Sequence, residues 1–226
     1  MEAYAYSFRD SKPMVTVRIH PPNSAKETFV FDKDLICYNS AYFEAAFNSD
    51  FSEAATQELE IEDVDIEIFK IFVYWLHKGK LCGDDENQPS YTTLVKIWLF
   101  ADSILAPKLQ NLVIYDIDQA RYEHDYFPST RLHLVYDNTA EGSPLRRLIV
   151  DTWNYTYRIS TPENYPHQFL VDLINNSLPK ENPGRYRPSK TAMVAYLVDE
   201  EIVMKNQARR KMVSRPETEK AAKHTR

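Results

Sequence analysis

Residues 29–53 read FVFDKDLICYNSAYFEAAFNSDFSE. The opening Phe29-Val30-Phe31 is aromatic and β-branched, the composition of a strand. Asp32 follows as a helix N-cap, because its carboxylate can accept from the first free N–H groups of a helix. Apolar residues at Leu35, Ile36, Tyr42, Phe43, Ala46 and Phe47 then predict a helical stretch. Upstream, Val15, Val17 and Ile19 alternate with Thr16, Arg18 and His20, the period of a half-buried strand. Pro21-Pro22-Asn23-Ser24 breaks that strand, and Thr28–Phe31 returns it as a hairpin.

Downstream, Leu59 and Ile61 alternate with Glu58, Glu60 and Glu62, predicting a short strand with a carboxylate face in solvent. Asp63 or Asp65 would cap the next helix, where Ile66, Phe69, Phe72, Val73 and Leu76 share one face. A polar loop spans 82–91, and Leu94 to Leu105 mark another helix. Pro107 opens the next, with a stripe of Leu109, Leu112, Val113, Asp116 and Ile117. Further on, Ser143-Pro144 predicts an N-cap and first-turn proline for a helix through Trp153. Phe169 to Leu178 predicts a helix stopped by Pro179, and a final helix is expected from about 189 to 204.

Three ordered runs carry a family resemblance. Residues 29–53 hold Ser40-Ala41-Tyr42-Phe43 after a strand; residues 59–81 end in a Leu-x-x-Gly-x-Leu pattern; residues 94–114 contain Ala101-Asp102. Together they resemble the BTB/POZ domain, closest to the short fungal-type proteins with a helical C-terminal extension. Where the family usually carries a His before the first helix, this chain has Asp32. The resemblance implies an α+β fold, a small sheet capped by helices. It implies a division into an N-terminal segment at 1–12, a BTB/POZ domain at 13–118, an all-helical extension at 119–204 and a basic, disordered tail at 205–226.

The resemblance also implies function. BTB proteins that recruit cullin-3 carry an apolar-x-Glu motif after the second helix, and Phe51-Ser52-Glu53 falls there. A substrate adaptor of a cullin-3 ubiquitin ligase would use Phe51 as an anchor and Glu53 to fix register, with Phe47, Asn48 and Asp50 contributing. The bland alternative has Phe51 closing the core and Glu53 starting the acidic strand. A BTB oligomerisation scaffold or nuclear regulatory protein without a ligase link is the other reading. A homodimer fits the family, although the residues before Val15 carry no apolar helical stripe, so a monomer is also compatible.

Composition narrows the field. The chain has 226 residues and a net charge of −6. Residues 205–226 hold eight bases and two acids, so the body is far more acidic than the total. An acidic body disfavours specific nucleic-acid binding. Arg209-Arg210-Lys211 would serve as an import signal or simply as a solubilising tail. No apolar run reaches membrane-span length, and no secretory leader is expected. Cytoplasm or nucleus follows, with Cys37 and Cys82 as buried reduced thiols. No nucleophile elbow, phosphate-binding glycine loop or His-Glu-x-x-His is found, and the six histidines are scattered. No enzyme activity, cofactor or metal is expected. Trp75 and Trp98 read as core. Tyr122, Tyr126, Phe127, Tyr136, Tyr155 and Tyr157 would line either a partner groove or the core of the extension.

Overall fold

The computed structural model describes residues 13–22, 25–49, 52–83, 87–124, 128–153, 159, 161–176 and 190–203. The expected hairpin forms: β1 (Met14–His20) pairs antiparallel with β2 (Glu27–Asp32), Thr16 opposite Val30. β3 (Glu58–Glu62) joins the other side of β1 in parallel, giving the order β2-β1-β3. Left-handed residues bracket β3. Gln57 (φ 56) accepts from the Thr16 N–H, and Asp63 (φ 59) donates its N–H to His20 O. Val15, Val17, Ile19 and Leu59 are buried on one face, while Glu58, Glu60 and Glu62 are exposed. Arg18 grips Glu58 with two bonds of 2.7 and 2.8 Å on the solvent face, and this pairing lowers the Glu58 pKa.

Helices cover the buried face. The helical stretch consists of two helices, α1 (Lys33–Asn39) and α2 (Ala41–Asn48). Ser40 interrupts it in extended backbone, φ −144 and ψ 120. Its hydroxyl accepts from Phe43 N–H and donates to Ile104 O at 2.6 Å, so one side chain ends α1, starts α2 and ties both to a distant turn. Asp32 caps α1 as expected, accepting from the N–H groups of Asp34 and Leu35. A short helix unforeseen in the sequence, α3 (Ser52–Thr56), precedes β3.

Asp65 caps α4 (Ile66–Lys78), accepting from Glu67 N–H, and Gly79 closes it in the left-handed region at φ 69. That conformation favours glycine, which has no Cβ to clash. Lys96 on α5 (Tyr91–Ser103) reaches Asp65 at 2.9 Å, and chiefly for that reason the Asp65 carboxyl sits below its ordinary pKa. α6 (Pro107–His124) returns against α5, with Gln110 donating to Asp102 at 2.9 Å. Phe69 and Phe72 of α4 meet Phe29, Phe43 and Phe100 with ring centroids 4.8 to 5.9 Å apart. Burying each such ring contributes roughly 1.5–3 kcal/mol. Trp75 and Trp98 are core, as expected.

Beyond α6, the described residues form helices and 3-10 turns only. α7 (Leu132–Tyr136), α8 (Pro144–Thr152) and α9 (His167–Asn175) pack together. Ser143 caps α8 and Pro144 is its first residue, both as read from sequence. Tyr136 is core: its ring meets Phe169 edge-on at 5.7 Å and its hydroxyl donates to Asp172. The other five aromatics of that group lie outside the residues whose side chains are described.

The expected final helix is broken. α10 (Lys190–Met193) passes into a 3-10 turn, Val194–Tyr196, and a separate helical turn follows at 200–203. Tertiary bonds impose the break. Tyr196 donates to Asp151 on α8 at 2.8 Å, and Asn111 on α6 both donates to Val198 O and accepts from Val198 N–H. Through these residues, and through buried Met193 and Tyr196, the extension shares one apolar core with the α+β part. Cys37 is buried, but Cys82 is only half-buried. The segments at 1–12 and 205–226 lie outside the described residues.

Candidate functional site

The candidate surface is built by α2 and α3. Phe47, near the end of α2, has 1% exposure and stacks on Phe43 at 6.3 Å. Its side chain therefore anchors α2 to the core and has no surface to offer a partner, contrary to its expected contribution. Its carbonyl takes Lys33 Nζ at 2.9 Å and Gln57 Nε2 at 3.3 Å, which satisfies an acceptor at a helix end. The next residue, Asn48, is exposed, and its amide donates to Glu44 at 2.7 Å.

Glu53 lies in the first turn of α3, where a carboxylate is favoured by the helix dipole. It is half-exposed and accepts from the Ser52 hydroxyl at 3.1 Å. Tyr42 is half-buried, and its phenol pKa is raised by burial and by the Glu53 charge. The Glu53 charge therefore acts on the Tyr42 phenol from the neighbouring helix. Asp50 and Phe51 lie outside the described residues. Of the five residues singled out in the sequence, the structure describes Phe47, Asn48 and Glu53, burying the first and leaving the other two accessible.

Sequence reading took Tyr42 only as a motif member on an apolar stripe. The influence of Glu53 on it comes from a different helix, so no local periodicity signals it. Tyr38, on α1, is 69% exposed, with Lys108 Nζ lying 3.7 Å from its ring centroid. That cation-π contact between α1 and α6 is likewise invisible in sequence.

Among the described residues, no group of three or more His, Cys, Asp or Glu side chains is arranged to hold a metal ion. No helix among them is long and apolar enough to cross a membrane. His77 and Lys78 are exposed at the C-terminal turn of α4, where the Lys78 cation suits the helix dipole. Burial pushes the Cys37 thiol up to about 12, leaving it a poor nucleophile.

Compared with known families, residues 6–106 match the BTB/POZ domain model. No curated protein matches the chain. The three-stranded sheet, α1 to α5 and the Ser40 junction lie within that matched span, with α6 and the helical extension beyond it. The chain therefore carries a BTB/POZ domain, a protein-protein interaction module of α+β fold, followed by helices.

Proposed function

We propose that this protein is a substrate adaptor of a cullin-3 ubiquitin ligase, docking through the α2–α3 surface while the helical extension engages a second protein. The observation that carries the reading is the half-exposed Glu53 carboxylate on α3, whose charge acts on Tyr42 of α2, while α2 itself is pinned to the core by Phe47 and exposes Asn48. A carboxylate held on a rigid element fixes register, and an adjacent aromatic supplies contact area at low entropic cost. The role is one of binding rather than catalysis, in the cytoplasm or nucleus.

Calorimetric titration with a cullin-3 N-terminal domain tests it. The wild type should bind, and Glu53→Lys and Phe51→Ala should each weaken binding by about tenfold or more. Circular dichroism of both variants guards against unfolding. Absence of wild-type binding refutes the adaptor role.

A second reading, a self-associating scaffold, is favoured by one feature. Met14 and Val30 are 51% and 59% exposed and lie diagonally across the β1–β2 pair on its solvent face. Apolar neighbours on an exposed face suit a second copy of the chain. Light scattering decides: a dimer mass abolished by Val30→Lys supports the scaffold, and a monomer mass removes it.

A further inference from the structure

A half-open cavity of about 280 Å³ lies where the C-terminal end of α4 meets α6. Residues 79–83 form one wall, Leu112 and Asp116 of α6 the other, and Gln88 contributes from the segment before α5. The volume falls just below the roughly 300–1,000 Å³ of small-molecule pockets, a size that suits one long side chain.

Three features of this cavity favour a cation. First, Asp116 is half-buried and has no hydrogen-bond or ion-pair partner among the described residues. Second, burial alone raises its carboxyl to about 6, so Lys80, although it lines the same cavity, does not neutralise it. Third, Gly79 is the C-cap of a thirteen-residue helix, whose terminal carbonyls place partial negative charge at this end. Leu112 adds an apolar wall for a methylene stem, and Gln88 a carboxamide for a planar donor group.

We infer that this cavity binds the arginine side chain of a partner protein segment, with Asp116 as the charged anchor. Arginine suits it better than lysine, because its guanidinium is flat, weakly hydrated and rich in donors. The net negative charge of the chain favours the approach of a basic segment. The inference is independent of the cullin reading, since it uses α4 and α6 rather than α2 and α3.

The test is a titration of the full chain with the blocked tripeptide acetyl-Gly-Arg-Gly-amide, followed by amide chemical shifts near neutral pH. Its control is the same peptide with neutral citrulline in place of arginine. Shifts should concentrate at 79–83, Gln88 and 112–116 and saturate in the millimolar range expected of one side chain, with the citrulline peptide and Asp116→Asn about tenfold weaker or worse. The undisturbed remainder of the spectrum reports whether Asp116→Asn is folded. Should that variant misfold, the wild type alone decides, because its binding must weaken on acidification through about pH 6. Lys80 and Cys82 are the other titratable groups that line the cavity. Shifts elsewhere, equal response to citrulline, or binding indifferent to both Asp116→Asn and pH would overturn the inference.

Discussion

Replacing Ser40 with alanine removes two bonds at one buried point. The hydroxyl is wholly inaccessible, accepts from Phe43 N–H at 3.2 Å and donates to Ile104 O at 2.6 Å. Losing an N-cap serine to alanine costs about 1 kcal/mol. Stripping the buried Ile104 carbonyl of its best donor costs about 1–3 kcal/mol more. The lower half of that range applies, because Tyr42 N–H also reaches Ile104 O at 3.4 Å. The sum is about 2–3 kcal/mol, roughly a thirtyfold to hundredfold shift in the folding equilibrium. Urea denaturation measures it as a lower midpoint with unchanged slope. Ser40→Gly separates the two bonds, since glycine in place of an N-cap serine costs only a few tenths of a kcal/mol. Its remaining loss should therefore report the Ile104 bond. A Ser40→Ala variant within about 0.5 kcal/mol of wild type would refute the claim that this junction holds α1, α2 and the α5 end together.

Two further outcomes follow from buried charge. Arg146 is 7% exposed, donates to Thr139 Oγ1 at 2.8 Å and to the carbonyls of Tyr136 and Thr139, and lies 4.4 Å from the Tyr136 ring centroid. Arg146→Ala should cost about 2–4 kcal/mol in thermal or urea unfolding, and Arg146→Lys should not rescue it, because an ammonium cannot span those acceptors. Asp116 titrates near 6 when folded against an ordinary 3.8. The unfolded chain thus loses this proton first, and the contribution of Asp116 to stability falls as pH rises from about 4 to about 6. Asp116→Asn should flatten that part of the stability profile and melt higher at neutral pH; an unchanged profile would show the carboxyl to be well solvated.

The sheet was legible because its signals are local. Period-two alternation assigns Val15, Val17 and Ile19 to the core and Glu58, Glu60 and Glu62 to solvent, and the register bears this out. The caps at Asp32, Asp65 and Ser143 were legible for the same reason, since a cap acts on its own next residues. Where long-range bonds decide, the sequence did not place the breaks. The break at Ser40 depends on Ile104, the break after Met193 on Asp151 and Asn111. Apolar residues continue on both sides of each break, so periodicity reads through it. α3 is five residues long, too short to show a helical period. Of the candidate surface, the position of Glu53 could be read from the motif. The burial of Phe47 and the approach of Tyr42 needed the packed helices.

The most direct test of the adaptor role maps the contact without mutation. Hydrogen exchange of the full chain is followed with and without a cullin-3 N-terminal domain. The account predicts slowed exchange concentrated in α2, α3 and their connection, around Asn48 and Glu53, with the extension unchanged. Protection confined to other elements, or no protection at saturating concentration, would contradict it.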